Sequence, residues 1–129
     1  MSTPTLRADR VRLLSLIKQN PSISREEFDR YWLEHHSQLF LSLDIVKRNI
    51  LKYEQLHVNQ KTRKLFQSLG VASIDCDGAA LFEAESYEKI FELINDSQFQ
   101  AIAIPDEEKF IDRSKTRMIP LDFVGFLDK

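Results

Sequence analysis

Apolar and polar positions divide the chain into alternating and helical stretches. From Arg10, "RVRLLSLIKQN" gathers branched apolar residues into a run too short for a helix before Pro21, which predicts a first strand. "NPSIS" is a break. Ser24 stands three residues before Glu27, the spacing of a capping box, in which each side chain can satisfy the other residue's free backbone N–H. The helix it opens carries Phe28, Trp32, Leu39 and Phe40 on one side and Arg25, Asp29, Arg30 and Gln38 elsewhere, an amphipathic pattern. "ILKYEQLHVNQ" has period 2 and predicts a second strand, with Leu51, Tyr53, Gln55 and His57 on one face. "KTRKLFQSLG" reads as a single helical turn within a loop. "DGAALFEAE" predicts a third strand with Asp77-Gly78 as its turn. Ser86 caps a second helix whose stripe is Ile90, Phe91 and Ile94. "IPDEEKFID" reads as a short helix with Pro105 at its start and acids in its first turn. "RMIPLDFVGFLDK" predicts a fourth strand.

The order β-α-β-β-α-β is the ferredoxin-like split βαβ arrangement, an α+β fold with one antiparallel sheet and both main helices on one face. The other sheet face also carries apolar side chains, and burying it against a second copy predicts a homodimer. Residues 1–9 read as a flexible N-terminal arm and residues 10–129 as a single domain, a size sufficient for a real core.

Charge narrows the partners. Eighteen Lys+Arg against 20 Asp+Glu leave a formal charge of −2, and the basic residues are scattered, which argues against nucleic acid and against an anionic membrane surface. No apolar run approaches the roughly 18 residues of a membrane span, and the N-terminus lacks the apolar core of a secretory signal. The single cysteine, Cys76, excludes an internal disulfide, and no metal-ligand spacing occurs. The expectation is a cytoplasmic protein with neither metal nor cofactor.

Candidate chemistry lies with histidine. His35 and His36 are consecutive, so on a regular helix they point about 100° apart and cannot share one pocket or one metal ion. His36 follows Trp32 by four residues and Phe28 by eight, which places it on the sheet-facing side, with His35 at the edge. His57 shares a strand face with Tyr53. If that face meets the helices, His36, His57 and Tyr53 converge, and histidine there can serve as general acid or base near neutral pH. Trp32, Phe28 and Phe40 would form a flat apolar wall. Each residue also has a plain packing role: His36 as a satisfied core histidine, His57 as a strand surface residue, Tyr31 and Tyr53 as packing groups. Asp44 and Asp122 are acids able to orient a histidine, although acids at element ends are usually solvated. The run Asp106-Glu107-Glu108 reads as a helix start rather than a metal site.

The segments "REEFDRYWLEHHSQLFLSL", "LKYEQLHVNQ", "FEAESYEKIFELINDSQF" and "PDEEKFIDRSKTRMIP" together resemble the EthD domain family, and most closely its fungal branch from aromatic polyketide gene clusters. The resemblance spans about residues 10 to 125. It implies the dimeric α+β barrel fold and, from the fungal members, dehydration of hydroaromatic fused-ring polyketides related to atrochrysone and emodin. His36 matches the family histidine four residues after the tryptophan, and His57 that of the "HVN" segment. The resemblance thus implies a cofactor-independent lyase with His36, His57 and Tyr53 as catalytic residues and Trp32, Phe28, Phe40 and Tyr31 around the substrate. Related barrels leave open a cofactor-free monooxygenase acting on anthrones, a polyketide cyclase or decarboxylase, and a haem protein. A non-catalytic polyketide-binding dimer stands as the reading from another class.

Overall fold

A computed structural model describes residues 3–129, so Met1 and Ser2 of the expected arm lie outside the described residues. The chain runs β1 (Val11–Ile17), α1 (Arg25–Arg30), a π-helical stretch Tyr31–His36, α2 (Ser37–Ser42), α3 (Asp44–Asn49), β2 (Ile50–His57) and α4 (Gln60–Ser68). It continues through β3 (Gly78–Ala84), α5 (Tyr87–Ile94), a second π-helical stretch Phe99–Ala103, α6 (Ile104–Glu107) and β4 (Arg117–Leu121). The strands form one antiparallel sheet in the order β2-β3-β1-β4. This is the α+β ferredoxin-like arrangement that the alternation of patterns predicts. Pro120 is accommodated because β4 is an edge strand.

Register decides which side chains meet the helices. Ser15 pairs with Ala80, Leu13 with Phe82, and Tyr53 with Phe82, so these residues share the helix-facing side. Two buried clusters sit there: Phe28, Trp32, Ile17, Ala80, Phe110 and Ile111 around one, and Phe40, Leu43, Val46, Leu93 and Ala103 around the other. A bulge between Ile50 and Lys52 resets the alternation of β2. Ile50 therefore packs against the core and Leu51 is exposed, the reverse of strict period 2, whereas Tyr53, Gln55 and His57 keep their common face.

The Ser24 cap forms, its Oγ accepting from the Glu27 N–H at 3.1 Å. Ser86 likewise accepts from the Lys89 N–H. Three local expectations need correction. The segment expected as one turn is a nine-residue helix, α4, closed by a Schellman cap: Gly70 at φ +82° lets its own N–H reach Gln67 O and the Val71 N–H reach Phe66 O. Gly78 is not a turn residue but the first residue of β3, lying under the Trp32 ring. In α5 the buried stripe is Ile90 and Leu93, while Phe91 is exposed and Ile94 is only partly covered, at the rim of a cavity between the sheet and the helices. The short helix expected in "IPDEEKFID" forms as α6, with Pro105 at its start and Asp106 and Glu107 in its first turn, and it directly follows the π-helical stretch, where the Phe99 N–H donates to Asp96 at 2.9 Å. Pro105, lacking an N–H, is tolerated beside a π-helical stretch in which Ile104 N–H reaches Phe99 O.

The expected arm is tied to the C-terminal segment by the Arg7 N–H, which donates to Phe123 O at 2.8 Å. The Arg12 guanidinium lies 3.8 Å over the Phe123 ring.

Candidate active site

Between the sheet and the helices lies a cavity of about 220 Å³. Trp32, His36, Phe40, Tyr53, Phe82 and Phe99 supply most of its ring surface, and Glu107 and Arg113 stand on its polar side. Ile94 and Met118, which also line it, are exposed, so the mouth opens between α5 and β4. The cavity is smaller than the roughly 300 Å³ at the lower end of usual ligand sites.

His36 reaches this space from the π-helical stretch, where the Ser37 N–H bonds to Trp32 O, five residues back. Such widened turns recur at functional sites. His36 is 6% exposed and packed against Phe110 at 4.9 Å, whereas His35 is exposed and lies 5.2 Å from the Tyr31 ring. Nδ1 of His36 stands 2.8 Å from Oδ2 of Asp106, and the Tyr31 hydroxyl donates to Oδ1 of the same carboxylate. Burial acts to raise the Asp106 carboxyl, but the hydrogen bonds from Tyr31 and His36 prevail and hold it below its ordinary value. An ionised Asp106 accepts from both partners, so the His36 proton sits on Nδ1 and the lone pair on Nε2. No described residue makes a hydrogen bond to Nε2. Burial lowers the His36 pKa below 6.5 despite Asp106, which acts to raise it, so the ring is neutral at neutral pH. Burial and the bond to Asp106 push the Tyr31 hydroxyl up to about 12.

Tyr53 is the second polar group of the cavity. Gln55 Nε2 donates to its oxygen at 2.9 Å and to Trp32 O at 2.8 Å, which leaves the phenol O–H free to donate. Burial raises its pKa, so it remains a phenol. His57 lies outside the lining, 4.3 Å from the Trp32 ring, with Nδ1 3.1 Å from Asp29 Oδ1 and Nε2 2.8 Å from Gln55 Oε1. Both its nitrogens are engaged, and it meets Tyr53 only through Gln55. Thus His36, Tyr53, Trp32 and Phe40 come together in one cavity. Phe28 packs behind Trp32 at 5.6 Å, and Tyr31 stands behind His36 through Asp106.

Three residues of this region escape the sequence pattern: Asp106, Glu107 and Phe110. Asp122 accepts from Tyr87 and Asp44 contacts Gln98 through its backbone, so neither orients a histidine. A signal did exist for Asp106. Ala103, Asp106 and Phe110 recur at helical spacing and all three are buried, which puts the acid on a core stripe. Burial pushes the Glu107 carboxyl up to about 7, with Arg113 opposing and Asp106 and Glu108 adding to the rise. No group of three or more His, Cys, Asp or Glu among the described residues could hold a metal ion. No helix among them is long and apolar enough to cross a membrane.

The family model of the EthD domain matches residues 20–114. No curated protein sequence matches the chain. Among solved structures, an ethyl tert-butyl ether D family protein from Bacillus halodurans superposes with a TM-score of 0.62 at 11% identity, over 89% of this chain and 99% of that one. A dimeric ferredoxin-like protein of unknown function from Bacteroides fragilis gives 0.63 at 13% identity, over 92% and 100%. A hydroxynitrile lyase from Passiflora edulis gives 0.59 at 6% identity, over 95% and 100%. At these identities the likeness establishes the fold alone.

Proposed function

This chain belongs to the EthD domain family, and from that premise we propose that it is a lyase that removes water from a β-hydroxy ketone in a hydroaromatic fused-ring polyketide. The observation that carries the reading is the Asp106–His36 pair at 2.8 Å, with Nε2 uncommitted in an apolar cavity. Nε2 takes the proton α to the carbonyl, and Tyr53 O–H donates to the carbonyl oxygen as it gains negative charge. The electron pair released at carbon forms the C=C bond as the C–O bond breaks. Aromatisation of the ring supplies the driving force. Trp32, Phe40 and Phe82 offer planar faces to the substrate. Given the cavity's volume, one or two rings enter and the rest occupy the mouth beside Ile94 and Met118. His57 acts from behind, through Gln55, on the orientation of Tyr53.

A homodimer belongs to the same proposal. Leu14, Leu16, Leu81 and Ile119 lie on the sheet face away from the helices, where Leu56 and Ile119 are more than two-fifths exposed. The Bacteroides fragilis relative is dimeric.

The test is a mass spectrum of products after purified protein is incubated with a hydroxylated dihydroanthracenone and no added cofactor. Loss of one water is the expected result, with His36→Ala slowing it by about 10²-fold or more. Gain of oxygen would move the protein to a monooxygenase, and loss of carbon dioxide to a decarboxylase. Bound but unchanged substrate would make it a carrier.

A further inference from the structure

Dehydration needs an acid as well as a base, because hydroxide is a poor leaving group. Among the described residues that line the cavity, Glu107 is the only carboxylic acid. It adjoins Asp106 on α6, yet the two diverge: Asp106 turns back to His36 and Tyr31, while Glu107 turns into the cavity. Its side chain is 22% exposed, and no hydrogen bond reaches its carboxyl from the described residues. Arg113 Nε stands 3.8 Å from Oε2, beyond hydrogen-bond range but close enough to steady a negative charge that appears there. Glu107 and Tyr53 line the same cavity.

Resting on the lyase reading, we propose that Glu107 donates the proton to the departing hydroxyl, so that base and acid are separate groups of one cavity. Nε2 of His36 accepts the α proton and the C–H electron pair becomes the C=C bond. The C–O pair leaves with oxygen, which takes the Glu107 proton and departs as water. His36 is then an imidazolium and Glu107 a carboxylate beside Arg113. Water at the mouth returns the proton from one to the other, so no oxidant or co-reactant is consumed. The environments support this division: burial favours neutral His36 and protonated Glu107 over the same pH range, the resting forms that a base and an acid require.

The experiment compares two substrates on one ring system, a β-hydroxy ketone and its β-(4-nitrophenoxy) analogue, whose leaving group departs without protonation. Glu107→Gln should slow water loss by about 10²-fold or more and change nitrophenoxide loss by only a few-fold, while His36→Ala slows both. Equal losses on the two substrates in Glu107→Gln, or full activity on both, would overturn the proton-donor role. Wild-type protein that eliminates neither group would sink the lyase reading itself, a result distinct from either.

Discussion

At the scale of single residues, the site depends on burial acting in opposite senses on two groups. Burial draws His36 towards its neutral form and Glu107 towards its protonated form, and the second carries a stability cost that can be measured. The unfolded chain releases its Glu107 proton near the ordinary 4.5, whereas the folded chain keeps it up to about 7. Between those values the unfolded state gains an ionisation that the folded state does not, so this group's contribution to stability declines as pH rises from about 4.5 to about 7 and then levels off. The gap corresponds to about 3 kcal/mol. The charged and titratable groups around Glu107 are Arg113, Asp106, Glu108 and, across the cavity, Tyr53 and His36. Of these, Asp106 and His36 have the opposite linkage, since their lowered values stabilise the fold at higher pH and lose that effect as pH falls. Glu107→Gln should therefore match wild type in urea unfolding at pH 4 and exceed it increasingly towards pH 8. Parallel curves across that range would show that the carboxyl is not held up by burial.

At the scale of elements, the Trp32 ring is held between a widened helical turn and the start of β3. A Cβ on Gly78 would stand 2.6 Å from Trp32 Cζ3 and 2.9 Å from Cη2, with Leu56 O at 3.2 Å. Trp32 is 1% exposed and the neighbouring backbone is tied into the sheet, so neither can yield easily. Gly78→Ala is expected to cost about 1–3 kcal/mol in urea unfolding and to shift Trp32 fluorescence, the signature of overpacking. An unchanged midpoint would mean that the ring can slide. Gly70 is needed for a different reason: open space surrounds it, and only its left-handed backbone is demanding. Both glycines stand out in a chain with three, but their roles are set by what lies around them.

At the scale of the whole molecule, the helix-facing side of the sheet holds the cavity, and the opposite side carries the apolar residues assigned to a second copy. Ile119→Arg places a charge on that side, beside Leu14 and far from the His36 wall. It should shift sedimentation from dimer to monomer, and a wild-type protein already monomeric would remove the dimer from the proposal. The sequence by itself determined the β-α-β-β-α-β order, the caps at Ser24 and Ser86, and the choice of His36 over His35 as the buried histidine. Each depends on spacing between near neighbours, which covalent geometry enforces whatever the rest of the chain does. Only the tertiary structure decided that Asp106, 70 positions away, orients His36, and that Glu107 shares its cavity. It also placed His57 against Trp32, with both nitrogens engaged. An acid after a proline near a helix looks solvated when judged by its neighbours in sequence. The helical spacing of Asp106 with Ala103 and Phe110 hints at burial, but its partners and hence its protonation are properties of the packed helices and sheet, which no local periodicity records.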